Sequence, residues 1–193
     1  MQDKEPNYLV LVNGEHRLPE DYAETIEFIS GENGVGRHFQ VEKKAYEAFL
    51  RLQEDLLKND GIQTEIGSTY RTVEQQEEIY KRYRTNFGLE YAKKYVAEPG
   101  HSEHHTGIAI DIGIVIDGKY YHTIEELFSI EPVFEVIHKK LPKYGFILRY
   151  PKGKEAITGI GYEMWHIRYI DSPELATAIT EQGICLEDYW KKR

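Results

Sequence analysis

The sequence predicts an α+β fold in one domain: a central, mostly antiparallel sheet flanked by helices. Three observations predict it. Helical and β-rich segments are mixed along the chain without the strand–helix–strand alternation of a parallel sheet. A length of 193 residues suits one sizeable core. Asp117-Gly118 follows a β-rich run directly, the signal of an antiparallel hairpin.

The elements follow in order. Tyr8 to Val12 is a short apolar run ended by Asn13-Gly14, and reads as a strand and turn. Residues 19–37, with glycines at 31, 34 and 36, read as irregular chain, so that 1–37 forms an N-terminal wrapping segment of a single 1–193 catalytic domain. Ala45, Phe49, Leu52 and Leu56 recur at helical spacing within a helix over 41–58, which Asn59-Asp60-Gly61 stops. Residues 62–68 read as a strand. Thr72 and Gln75 stand in capping-box positions for a helix reaching about Arg84. A helical turn over 91–96 and a loop over 98–106 precede the alternating strand 108–116. Helices are expected over 124–128, 132–141, 173–181 and 186–191, and strands over 146–150 and 163–170.

Composition narrows the function. The chain is 40% hydrophobic and 30% charged, ordinary for a globular domain, and no apolar run approaches the roughly 20 residues that span a bilayer. A net charge of −9 with no basic patch argues against nucleic acid as a partner. The densest basic stretch, Lys191-Lys192-Arg193, reads as a solvated end. Cys185 is alone, so no internal disulfide forms, and its apolar neighbours make it packing material. The 15 tyrosines suit half-buried sheet positions or the wall of a peptide groove. Monomer is the default state. The polar start, Met1 to Asn7, carries no signal peptide, which fits either a cytoplasmic protein beginning at Met1 or an envelope-facing one whose anchor lies upstream.

Chemistry concentrates in three places: Ser68-Thr69-Tyr70-Arg71 with Gln76 beyond, Ser102 to Asp111, and Glu163 to Tyr169. A catalytic zinc site takes three protein ligands, an open position, and a base that is not itself a ligand. His104, Asp111 and His166 could supply the ligands and Glu163 the base. Spacing alone leaves the alternative open, since any one of these histidines by itself reads more readily as a packed or surface side chain. His105 and His101 are weaker ligand candidates, and His16, His38, His122 and His138 read as surface residues. Trp165 reads as a core or pocket-wall aromatic, Arg168 and Tyr169 as support for the sheet, and Arg149 equally as substrate contact or ion-pair partner. Glu163 and His166, three apart, would face opposite sides of a straight strand. A shared site therefore requires a bend or bulge near Met164, or a strand starting after Glu163.

Together the blocks resemble a family. Ser-x-His-x-x-Gly-x-Ala-x-Asp fits 102–111, Glu-x-Trp-His fits 163–166, and Ser-x-Tyr-Arg with a glutamine five residues on fits 68–76. In order and spacing these are similar to the zinc D-alanyl-D-alanine carboxypeptidases of the VanY type, including the related L,D-carboxypeptidases. Residues 145–151 and 154–159 match as well. The resemblance covers roughly residues 8–190 and implies a zinc site on the sheet, with Zn2+ held by His104, Asp111 and His166. It implies Glu163 as the general base, Arg71 as the cation near the scissile carbonyl or the terminal carboxylate, Gln76 holding that carboxylate, and Ser102 and Tyr150 bordering the terminal D-alanine. The implied substrate is a peptidoglycan stem peptide or its precursor, cut at D-Ala-D-Ala ends or, with L,D activity, at tetrapeptide ends. Met164 departs from the proline common in relatives. Two other readings stay open, a phage-lysin-type endopeptidase and a non-catalytic wall-binding module. Arg71 with Gln76 argues against the first, because an internal bond offers no carboxylate; Glu163 argues against the second, because a structural metal site needs no base.

Overall fold

Ile110, Ile112 and Ile114 are buried on one side of a strand whose other face carries Ala109, Asp111 and Gly113, and Ile108 is buried just before it. That alternation divides the computed structural model, which describes residues 6–192, into a core side and a site side. The chain-start calls on Met1 to Glu5 and the tail call on Arg193 lie outside the described residues.

The elements run β1 (Phe28–Glu32), β2 (His38–Glu42), α1 (Lys43–Asp60), β3 (Gln63–Ser68), α2 (Val73–Phe87), α3 (Leu89–Tyr95), β4 (Ala109–Ile116), β5 (Lys119–Tyr121), α4 (Ile124–Ser129), α5 (Glu131–Lys140), β6 (Phe146–Tyr150), α6 (Glu155–Thr158), β7 (Glu163–Tyr169), α7 (Pro173–Glu181) and α8 (Leu186–Lys191). Short 3-10 turns lie at Tyr22–Thr25, Glu103–Thr106 and Leu141–Tyr144. The five-stranded sheet has the order β3–β4–β7–β6, with β5 also on β4, and every pairing is antiparallel. The expected mostly antiparallel α+β domain is what forms.

On the core side Phe49, Leu52 and Leu56 of α1 and Phe134 and Ile137 of α5 join the β4 isoleucines in one cluster. Glu42 caps α1 by accepting from the Ala45 N–H at 2.8 Å, and Gly61 ends it in the left-handed region at φ 68°. On the site side Leu11, Ile147, Ile170, Ala176, Ile179 and Leu186 pack the N-terminal segment under α7 and α8. Cys185 is buried, as its neighbours suggest.

Two local irregularities aim side chains. Ile66 pairs with Ile112 but Ser68 with Asp111, so Gly67 is an extra residue in β3 that turns Ser68 toward the site face. A Cβ on Gly67 would stand 3.0 Å from the Asp111 carbonyl oxygen, so the bulge selects glycine. In β7 the register jumps from Leu148↔Ile167 to Tyr150↔Glu163, which places the required bulge between Glu163 and His166. Met164 sits in it, buried, and its carbonyl accepts from His138 Nε2 at 2.8 Å.

Three sequence expectations need correction. Residues 8–12 form no strand, because Arg168 Nη2, rather than a neighbouring strand, donates to the Tyr8 and Val10 carbonyls at 3.0 and 2.9 Å. Residues 28–42, of which 28–37 lie inside the segment read as irregular, form the β1–β2 hairpin, its turn tied by Asn33 Oδ1 accepting from the Val35 and Arg37 N–H groups. His138 is half-buried rather than a surface residue, because the β7 bulge frees the Met164 carbonyl to bind it.

Candidate metal centre and peptide groove

Asp111 and His166 are direct cross-strand partners of β4 and β7, so both project from the same face. His104 reaches them from the Glu103–Thr106 turn, which Gly107 closes at φ 71°. A nitrogen of each histidine and an oxygen of Asp111 lie within 4.8 Å of one another. His104 Nε2 is 3.2 Å from Asp111 Oδ2 and His166 Nδ1 is 2.9 Å from Asp111 Oδ1.

The His104 turn is fastened to the chain after β3. His104 Nδ1 donates to the Thr69 carbonyl at 2.6 Å, the Arg71 N–H donates to the His104 carbonyl at 3.1 Å, and His105 Nδ1 donates to the Arg71 carbonyl at 2.8 Å. Since a carbonyl only accepts, Nδ1 of His104 carries the proton and Nε2 presents its lone pair to the triad. His105 uses its other nitrogen to accept from the Gly100 N–H at 3.0 Å, leaving none for a metal. His101 Nδ1 bonds the Asn13 carbonyl at 2.8 Å.

Electrostatics suit a cation. Burial pushes the Asp111 carboxyl up, but His104 and His166 outweigh it and hold it well below the usual carboxylate range. Burial and the Arg71 charge pull His104 down to about 4, keeping a neutral imidazole. Burial also pulls His166 down, but the Asp111 and Glu103 carboxylates outweigh it and hold that imidazole near 9. Glu163 is buried with its Oε2 3.9 Å from His166 Nδ1, and burial pushes its carboxyl up to about 8. Two imidazoles and a carboxylate, with the far nitrogen of His104 fixed by a carbonyl, fit a catalytic zinc ion.

Arg71 lies beside the triad with three of its five N–H donors taken. Its Nε donates to Ser68 Oγ at 3.1 Å, Nη1 to Gln76 Oε1 at 3.0 Å and Nη2 to Asp111 Oδ2 at 3.1 Å. Gln76 is buried and its amide nitrogen donates to the Ala97 carbonyl at 2.8 Å. Both ends of that amide are therefore engaged within the protein, and Gln76 bears on the site through Arg71. Ser102 and Tyr150 are buried in the cavity wall, the Tyr150 ring 4.8 Å from that of His166. Trp165 is both core and cavity wall. Arg149 is an ion-pair partner, fully buried between Glu103 and Glu187.

The cavity, about 480 Å³, includes His104, Asp111, Glu163 and His166 and extends between α2–α3 and the start of α4. Tyr83, Phe87, Tyr91 and Tyr95 form one wall, with successive ring centroids 5.5, 4.9 and 4.8 Å apart. The sequence reading misses this wall, although its aromatics recur every fourth residue. It also misses Glu103, whose side chain is fully buried behind His166.

Residues 38–172 match the VanY family, D-alanyl-D-alanine carboxypeptidase. The chain belongs to that family. It is 35% identical over 192 residues to the Bacillus subtilis (strain 168) protein named putative carboxypeptidase YodJ, covering 96% of this chain and 68% of that one. A solved vancomycin-resistance D,D-pentapeptidase VanY in complex with Zn(II) is 31% identical, with a TM-score of 0.76 over 95% of this chain and 98% of that one. The LdcB LD-carboxypeptidase structure is 34% identical, with a TM-score of 0.75 over 96% and 86% of the two chains. This VanY-family chain thus has the expected fold, and its relatives include both D,D- and L,D-carboxypeptidases. No helix among the described residues is long and apolar enough to cross a membrane.

Proposed function

We propose that this chain acts as a monomeric zinc carboxypeptidase that removes the C-terminal D-alanine from peptidoglycan stem peptides. The observation that carries the reading is the convergence of His104, Asp111 and His166 with a buried carboxyl, Glu163, and a fixed guanidinium, Arg71, in one cavity. His104 Nε2, Asp111 and His166 Nδ1 would hold zinc, which supplies Lewis acidity and lowers the pKa of water.

Glu163 acts as the general base toward the attacking water and returns the proton to the leaving amine. Its raised pKa makes it a better proton acceptor than an exposed glutamate, and the charge of a bound zinc ion would favour its ionised form. Arg71 keeps two N–H donors free, as many as a bidentate contact to a terminal carboxylate uses. That contact favours release of one residue from a free end. Ser68 and Gln76 hold the guanidinium in place, and Ser102 and Tyr150 border the terminal D-alanine. The groove between the aromatic wall and α4 takes the rest of the peptide. The whole of residues 1–193 serves as one catalytic domain.

The test is mass spectrometry of zinc-loaded protein incubated separately with stem pentapeptide and tetrapeptide. Loss of one alanine from the pentapeptide assigns D,D activity, and loss from the tetrapeptide assigns L,D activity. Glu163→Ala should bind zinc and lose turnover. Cleavage of neither peptide by zinc-bound protein, or equal cleavage of a C-terminally amidated peptide, would overturn the carboxypeptidase reading.

A further inference from the structure

His166 faces the triad through Nδ1, so its Nε2 points away, into the protein interior. Among the described residues nothing hydrogen-bonds it; Glu103 Oε2 lies 3.5 Å away. Glu103 Oε2 is likewise buried without a hydrogen-bond partner among the described residues. Two orphaned buried polar atoms, one a donor and one an acceptor, thus face each other across a gap slightly too long for a hydrogen bond.

The rest of Glu103 is fixed. Its Oε1 accepts from Arg149 Nε at 2.6 Å and from Arg168 Nη1 at 2.7 Å. Arg149 is held in turn by Glu187, at 2.9 and 2.6 Å, and Arg168 by the Tyr8, Val10 and Tyr169 carbonyls. The side chains of Glu103, Arg149 and Arg168 are all 0% exposed. Both guanidinium contacts to Glu103 fall on one oxygen and leave the other aimed at His166.

A neutral imidazole that gives Nδ1 to a metal must carry its proton on Nε2, and that proton requires an acceptor in a dry interior. We propose that Glu103 is the positioning residue for His166, its Oε2 accepting the Nε2–H and so fixing the tautomer and ring orientation in which Nδ1 can bind zinc. The inference rests on the zinc reading above. The two histidine ligands are then oriented differently: His104 by the neutral carbonyl of Thr69 and His166 by a carboxylate. A carboxylate raises the basicity of the ring it accepts from, so His166 is the stronger donor of the pair. The family pattern leaves position 103 open between Ser102 and His104, so this role comes from the fold and not from the motif.

The test compares zinc affinity in Glu103→Gln and Glu187→Gln, using a chromophoric chelator as competitor on metal-stripped protein well below each variant's melting temperature. Both substitutions disturb the arginine network, but only the first touches His166; Glu187→Gln keeps an amide oxygen that accepts from Arg149 and leaves every Arg168 contact in place. Glu103→Gln should weaken zinc binding by about 10–100-fold, and Glu187→Gln should leave it near the wild-type value. Equal weakening in both, tracking lost stability, would reduce Glu103 to a structural ion-pair partner. If the wild type takes up no zinc, the zinc reading falls and this inference with it; if the wild type binds tightly and Glu103→Gln binds as well, the inference alone falls. Should Glu103→Gln fail to fold, long-range 1H–15N spectra of zinc-loaded wild type with 15N-histidine decide the matter. His166 should show a protonated Nε2 with a downfield, hydrogen-bonded proton. A bare Nε2 would refute the assignment.

Discussion

Replacing Arg168 with methionine should unfold the N-terminal segment and weaken the whole domain. The guanidinium is fully buried and donates to Glu103 Oε1 at 2.7 Å, Tyr8 O at 3.0 Å, Val10 O at 2.9 Å and Tyr169 O at 3.1 Å. Methionine fills similar space but offers no donor. Breaking a buried ion pair by removing one partner costs about 3–5 kcal/mol, and each orphaned buried carbonyl about 1–3 kcal/mol. Arg149 still satisfies Glu103 in part, and the N-terminal carbonyls reach water once the segment lifts. These losses overlap, so about 4–6 kcal/mol is the expected net. A domain of this size holds on the order of 5–15 kcal/mol in total, and each kcal/mol shifts its melting point by about 2–4 °C. Thermal melting should therefore fall by more than about 10 °C. Limited proteolysis should cut first near Tyr8 to Asn13. Arg168→Lys should rescue little, because one ammonium cannot reproduce the planar fork. A methionine variant melting within about 3 °C of wild type, with its N-terminal segment still protected, would refute the reasoning.

Other predictions follow from the site. The Glu163 carboxyl, at about 8 when folded against an ordinary value of 4.5, binds more protons folded than unfolded, so it costs metal-stripped protein stability as pH rises from about 4.5 through 8. Glu163→Gln removes that loss, and chelator-treated melts should show the variant gaining over wild type at pH 8 and little at pH 4.5; equal curves at both would refute this. Gln76→Ala should cut kcat/KM by about 10–100-fold with zinc retained, because Arg71 loses its Oε1 acceptor at 3.0 Å and its aim shifts. Metal analysis beside steady-state kinetics checks it, and unchanged kinetics would make Gln76 a packing residue. Phe87, 58% exposed, can be cut to serine without opening the core. Phe87→Ser should raise KM for a full stem peptide by about fivefold, the loss of roughly 1 kcal/mol of aromatic contact, and leave a short D-Ala-D-Ala end unaffected. An equal effect on both substrates would place the wall outside the substrate path.

What the sequence disclosed is what local chemistry dictates. The Thr72–Gln75 capping box forms as read, because both of its hydrogen bonds lie within four residues. Asp117 and Gly118 take φ 51° and 77°, the conformation that the dipeptide signals. The β4 alternation puts Asp111 opposite the isoleucine face, and of the two arrangements that the three-residue spacing of Glu163 and His166 allows, a bulge or a later strand start, β7 shows the bulge. What stayed hidden depends on partners far along the chain. Tyr8 to Val12 has strand composition, yet its carbonyls are met by a side chain 158–160 residues away. Glu103 has no neighbour in sequence that explains it, because its partners are residues 149, 166 and 168. The aromatic wall kept its four-residue period in plain view, but Gly88 breaks the helix midway and obscures the shared face.

The ends of the chain therefore bear on the site more than the motifs suggest. Residues 38–172 carry the family match, all three triad residues, Glu163 and Arg71. Yet the groups that hold Arg149 and Arg168 lie largely outside that span: Tyr8 and Val10 before it, Glu187 after it. Stripped of all three partners at once, two buried arginines would face a single Glu103 carboxylate, and each would draw that carboxylate toward itself. Its second oxygen could then no longer be kept for His166. The wrapping segment and α8 thus do more than cover apolar surface. They satisfy the arginines from behind, which leaves Glu103 free to present one oxygen to the network and the other to His166.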